Sequence, residues 1–294
     1  MTTWILLRGL ARDSHHWGSF AGDFARAVGE AVVTVDLAGN GARHRETSPT
    51  TIAGMLADCR ADLAGRNPTY PLRLLALSLG GMIATEWMLR HRQEVASAVL
   101  IGTSMRPLAR WHQRIRPQAL PALGRLLLHA PAAPCVEREI LDLTSRLRRH
   151  DAALLDDWIA WRERHPVTRA NALRQLLAAQ RFHLRRRSPA APVLVLAGGQ
   201  DELVDPCCSA RIAEAWQCAV AIHPTAGHDL PLDDPQWTIE RIVAKLEGQH
   251  AMFTGSDNAR LIRMCDDCRV RAQYHDSGAP FRLGERPAGR FSDL

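Results

Sequence analysis

The chain has 294 residues, 46% of them hydrophobic and 23% charged, with a formal net charge of +6. These values exclude a disordered or collagen-like chain, and no apolar run approaches the ~18 to 20 residues of a membrane-spanning helix. The positive balance rests on arginine, with Lys245 the single lysine, so it reads as a compositional bias and not as a nucleic-acid surface.

In chain order, the first predicted strand is Trp4 to Leu7, cut off by Arg8 and too short for the core of a signal peptide. A cytoplasmic protein is expected, and the seven scattered cysteines, at 59, 135, 207, 208, 218, 265 and 268, fit thiols that stay reduced. Further strands are predicted at Ala31 to Asp36, Leu72 to Leu77 and Ala96 to Ile101. Helices are predicted between them at Phe20 to Val28, Thr51 to Leu63 and Gly81 to His91. Strands alternating with helices imply a mostly parallel sheet, because parallel neighbours need crossover connections.

From Met105 to Ser188 no strand is predicted; Arg-studded amphipathic helices are punctuated by Pro107, Pro117, Pro121, Pro131, Pro134 and Pro166. This stretch reads as a helical cap inserted into an α/β core. The core pattern resumes with a strand at Pro192 to Ala197, a helix at Ser209 to Trp216, a strand at Ala219 to His223 and a helix at Gln236 to Leu246. The expected organisation is therefore a core of residues 1–104 and 189–248, a cap of 105–188 and an appended tail of 249–294. In the tail, Cys265 and Cys268 with His275 supply only part of a structural zinc site, since no second cysteine pair follows, and no metal is assigned.

Three blocks carry chemistry. In Leu74-Leu75-Ala76-Leu77-Ser78-Leu79-Gly80-Gly81, an apolar strand turns into a helix at Ser78, where a strained bend would expose the hydroxyl at a helix N-terminus. Taken alone, Ser78 is equally readable as an N-cap. In Val193 to Asp205, a buried strand ends in a glycine turn followed by Asp201, at the strand end where ligands gather in open α/β sheets. Glu202 is its rival, and Asp205 before Pro206 reads as a turn former. In Thr225-Ala226-Gly227-His228-Asp229, an imidazole follows the last predicted strand. The order Ser, Asp, His matches a nucleophile-elbow triad.

On these blocks the chain resembles the α/β-hydrolase superfamily, in particular its small carboxylesterase-like members with a helical cap. The resemblance spans about residues 4 to 247 and includes Arg8-Gly9-Leu10, where the superfamily has His-Gly, and Asp36-Leu37-Ala38-Gly39-Asn40-Gly41, similar to its D-x-P-G-x-G loop. Ala76, Arg8 and Ala38 are departures, of which Arg8 brings a charge to the site entrance. The resemblance implies an oxyanion hole formed by the backbone N–H groups of Leu10 and Leu79.

The expected chemistry is an acyl-enzyme mechanism on an ester or thioester, with Ser78 as nucleophile, His228 as base and Asp201 orienting that base; it requires no cofactor. Residues 105–190 carry 17 Arg against 7 acids. That excess either solvates helix faces, the preferred reading, or steers an anionic substrate such as a CoA thioester or an acyl group on acyl carrier protein. Arg8, Trp111 and Trp158 are candidate substrate contacts, and Trp161 a further aromatic of the same stretch. The alternatives are a non-catalytic binding protein of this fold, or a peptidase, acyltransferase or cofactor-free haloperoxidase using the same triad.

Overall fold

The computed structural model describes residues 2–128, 132–184 and 188–248. The tail, with Cys265, Cys268 and His275, lies outside the described residues.

Six strands form one sheet: β1 (Thr3–Leu7), β2 (Ala31–Val35), β3 (Leu72–Leu77), β4 (Val95–Ile101), β5 (Val193–Gly198) and β6 (Ala219–His223), in the order β2-β1-β3-β4-β5-β6. Every pairing between neighbours is parallel. The order reverses between β1 and β3, the kind of switch point at which the ends of parallel strands open a crevice. An α/β-hydrolase fold is the result, as the sequence predicts.

Period-two burial divides each central strand between two cores. Ile5, Leu7, Leu74, Ala76, Val193 and Val195 face one side, where helices α2 (Ile52–Ala64), α3 (Leu79–Arg90) and α9 (Cys207–Trp216) cover them. Trp4, Leu6, Leu75, Leu77, Leu194 and Leu196 face the other, against α1 (Phe20–Val28) and α11 (Pro235–Leu246). A sheet covered on both faces needs apolar residues at successive positions, which is why these strands read as continuous hydrophobic runs and not as alternating ones.

Between β4 and β5 lie α4 (Trp111–Arg114), α5 (Leu120–Leu128), α6 (Ala133–Thr144), α7 (Ala152–Arg164) and α8 (Arg169–Arg181). Of the prolines expected to punctuate helices here, Pro166 follows the end of α7, while Pro121 and Pro134 occupy first turns and Pro117 opens a short 3-10 turn. Their missing N–H costs nothing where no intrahelical acceptor exists. A short α10 (Leu230–Asp233), absent from the sequence prediction, follows β6 and leads into α11. No helix among the described residues is long and apolar enough to cross a membrane.

Candidate active site

Ser78 stands between the C-terminal end of β3 and the start of α3 with φ 55° and ψ −112°. This backbone conformation is costly for a residue with a Cβ, and the surrounding structure has to enforce it. Gly80 is part of that enforcement: a Cβ there would stand 2.5 Å from the carbonyl oxygen of Leu7 and 2.8 Å from that of Arg8. Only glycine lets α3 sit this close to the end of β1. The Ser78 N–H donates to the Ile101 carbonyl at 2.8 Å, and the Ser78 carbonyl accepts from Thr103 Oγ1 at 2.8 Å. The Ser78 side chain makes no capping hydrogen bond, so the hydroxyl is not engaged by the helix it precedes.

Asp201 and His228 meet behind the strand ends. His228 Nδ1 donates to Asp201 Oδ2 at 2.6 Å, and both side chains are buried. With the proton fixed on Nδ1 by the carboxylate, Nε2 is left as the acceptor. Asp201 is itself held by the N–H groups of Leu203 and Val204, which donate to Oδ1 at 2.8 and 2.9 Å. Burial disfavours the imidazolium of His228, but the charge and hydrogen bond of Asp201, reinforced by the charge of Asp229, outweigh it and raise its pKa. Glu202, the rival acid, is half exposed and paired with Arg146. Asp205 is a turn former, accepting from the Cys207 N–H at 2.9 Å.

One cavity of about 470 Å³ is lined by Ser78 and His228 together. Leu10 and Leu79 line it too. Leu79 is the first residue of α3, so its N–H has no intrahelical acceptor. The loop carrying Leu10 is pinned by Gln175 of α8, whose Oε1 accepts from the Ala11 N–H at 2.8 Å. The same Gln175 donates to Asn40 Oδ1 at 2.7 Å, binding in the loop after β2, where Asp36 accepts from the Ser14 N–H at 2.7 Å and the Ala42 N–H at 2.9 Å. Most of the remaining lining is apolar, with Leu123, Leu126, Val136, Ile140 and Leu176 contributed by α5, α6 and α8.

Arg8 does line the cavity, but it is a buried structural bridge and not an entrance charge. Its guanidinium donates to both carboxylate oxygens of Asp229, one at 3.1 Å, and stacks over the Trp17 ring at 4.8 Å. Because Asp229 follows His228 and Arg8 precedes Gly9-Leu10, this bridge ties the histidine loop to the loop of Leu10. Trp111 and Trp158 are not among the lining residues. Trp111 is 67% exposed, and Trp158 packs with Leu141 and Leu155 under the guanidinium of Arg12. Trp161 donates its indole N–H to Asp13.

Sequence reasoning missed a buried polar network beside this wall. Arg12 and Arg162 both bind Glu137, Arg12 at 2.6 Å, while His16 Nδ1 lies 3.0 Å from Asp13 Oδ1. Isolated polar residues on amphipathic helices give no sequence signal of burial. Among the described residues no cluster of three or more His, Cys, Asp or Glu side chains is arranged to hold a metal ion.

Residues 2–235 match the model of the hydrolase family described as serine aminopeptidase, S33. The chain belongs to this family. Family relatives differ in their names. A pimeloyl-acyl-carrier-protein methyl ester esterase of Chromobacterium violaceum is 40% identical over 98 residues, covering 31% of this chain and 36% of that protein, so the match spans about a third of its length. A Mycobacterium tuberculosis protein named "Putative non-heme bromoperoxidase BpoC" is 32% identical over 206 residues, 69% of this chain and 77% of its own. Among solved structures, an esterase from Thermogutta terrifontis has a TM-score of 0.66 at 19% identity, covering 85% of this chain and 91% of that one, a likeness of fold.

Proposed function

We propose that this family member is a serine esterase acting on an ester or thioester through an acyl-enzyme on Ser78. The observation that carries this reading is the single cavity lined by Ser78 and His228, with the His228 ring held from behind by Asp201 at 2.6 Å. His228 Nε2 takes the hydroxyl proton as Ser78 Oγ bonds to the acyl carbon, and the carbonyl electron pair moves onto oxygen. The N–H groups of Leu10 and Leu79 stabilise that oxyanion, and loss of one such donor costs about 3 to 4 kcal/mol in the barrier. Collapse expels the alcohol or thiol, which takes the proton from His228. Water then attacks the acyl-enzyme, giving its proton to the same imidazole; collapse of this second tetrahedral intermediate breaks the bond to Ser78 Oγ, which takes the proton back from His228 as the acid is released. In this reading α4 to α8 act as a cap whose apolar faces receive the acyl chain.

A substrate carried on acyl carrier protein is the finer version of this proposal, supported by the name of the methyl ester esterase relative. The cytoplasmic setting belongs to the proposal too and rests on cysteine usage; Cys59, Cys135, Cys208 and Cys218 are free thiols. A second reading, cofactor-free haloperoxidase, is favoured by the longer match to the bromoperoxidase relative. It would use the same acyl-enzyme with hydrogen peroxide replacing water. A panel of p-nitrophenyl esters of graded chain length plus an acyl thioester, run beside a bromination assay with peroxide and acetate, separates the two. The proposal expects ester turnover that disappears in Ser78→Ala; bromination without ester turnover would favour the second reading.

A further inference from the structure

Among the described residues, the apolar cavity holds one buried charge that no acid balances. Of its other arginines, buried Arg8 is paired with Asp229, and buried Arg12 and part-buried Arg162 share Glu137. Arg169 is exposed to water at the wall. Arg114, on α4, is different: it is 4% exposed and lines the cavity, yet among the described residues no acid pairs with it. Its one hydrogen bond there runs from Nη2 to the Ala179 carbonyl at 2.8 Å, in the last turn of α8. Its Nε is buried with no acceptor among the described residues. Burial and the nearby positive charge of Arg106 both oppose its ionisation, and no carboxylate offsets them.

A helix C-terminus accounts for one of the five N–H groups and for part of the charge. The rest is an uncompensated guanidinium facing an otherwise leucine-rich space, an arrangement that costs free energy unless an anion joins it. Guanidinium geometry matches a carboxylate through two parallel N–H donors. We infer that Arg114 anchors a carboxylate at the far end of the acyl chain, so that the substrates are esters or thioesters of ω-carboxyacyl groups. The apolar lining supplied by Leu123, Leu126, Val136 and Ile140 then holds the methylene chain between the two polar ends. This inference rests on the esterase reading for which group is cleaved, but the anion site itself does not depend on turnover.

The test uses the full chain carrying Ser78→Ala, which can bind an ester without cleaving it. Calorimetric titration compares monomethyl esters of a graded series of medium-chain dicarboxylic acids with the matching dimethyl esters, which lack the anion. The free carboxylate should tighten binding by about tenfold or more at the best chain length. Arg114→Met should abolish that preference while leaving dimethyl ester binding unchanged or stronger, and Arg114→Lys should keep part of it. Equal binding of the two ester classes by the otherwise unaltered chain, a preference that survives Arg114→Met, or no binding of either class would overturn the inference. Fluorophosphonate labelling of Ser78 in the unsubstituted chain reads the esterase proposal separately, so the two can fail independently.

Discussion

In the proposed mechanism His228 is the general base, and its surroundings set its proton affinity. Its pKa is raised above the ordinary imidazole value because Asp201 and Asp229 outweigh the cost of burial. As a base it works only when neutral, so kcat/KM for a neutral ester should rise with pH along an acid limb whose midpoint lies above ~6.5. Asp201→Asn removes the acceptor that fixes Nδ1–H; a pH–rate series should then show the limb moved to lower pH and the plateau reduced by roughly a thousandfold or more. Arg8 invites a different experiment. Arg8→Met strands the buried Asp229 carboxylate and should destabilise the fold by about 3 to 5 kcal/mol, whereas Arg8→Met with Asp229→Leu should cost much less than the two single losses together, as denaturant unfolding would record. The placement of Ser78, Asp201 and His228 was legible in the sequence because each follows a strand end or glycine turn that the chain spells out. Arg114, Glu137 and Gln175 were not, since nothing in a helical segment's spacing tells a buried polar residue from a solvated one.

At the level of elements, the helices between β4 and β5 are fastened to the core through the histidine loop. Asp233 of α10 accepts from the N–H groups of Gly227 at 2.6 Å and Arg146 at 3.0 Å and from the Ser145 hydroxyl, and the Asp229 N–H donates to the Thr144 carbonyl at 2.8 Å. The histidine loop and the end of α6 are thus one hydrogen-bonded unit. Asp233→Ala should cost about 3 kcal/mol and lower kcat more than it raises KM, because the His228 loop loses its support. A second fastening carries a pH signature. Burial and the charge of Arg12 push the pKa of His16 down to about 4, so it is neutral in the fold and protonated when unfolded below ~6.5. The unfolded chain binds the extra proton, so stability is full above that value and falls as pH drops from ~6.5 towards 4. His228 has the opposite sign: its stabilising pairing is complete below ~6.5 and fades as pH rises through its raised pKa. Thermal melts across this range on His16→Gln should lack the acid-side loss. The strands and core helices were legible to within a residue or two because buried parallel strands are unbroken apolar runs. The single-turn helices α4 and α10 were not, because four residues carry no periodicity.

Considered whole, the molecule joins a conventional two-sided core to a cavity roofed by arginine-bearing helices. Several of these arginines are paired locally: Arg125 with Glu139, Arg148 with Asp151 and Arg146 with Glu202. The long-range field is therefore weaker than the count of 17 Arg suggests, and exposed charges are screened within about 8 Å at physiological ionic strength. The buried charge of Arg114 escapes that screening. Accordingly, kcat/KM for neutral esters should change little with salt, while an anionic substrate should keep most of its advantage at high salt; a steep salt slope confined to anionic esters would instead indicate surface steering. The fold class could be seen in the order of strands and helices, but the cavity could not, since it is a property of how five helices close over the strand ends. The central claim is that His228 activates Ser78, and intact-mass analysis with peptide mapping after fluorophosphonate treatment addresses it most directly. A single adduct on the peptide containing Ser78, lost in His228→Ala, is the expected outcome; an unlabelled protein, or labelling that persists without His228, would contradict it.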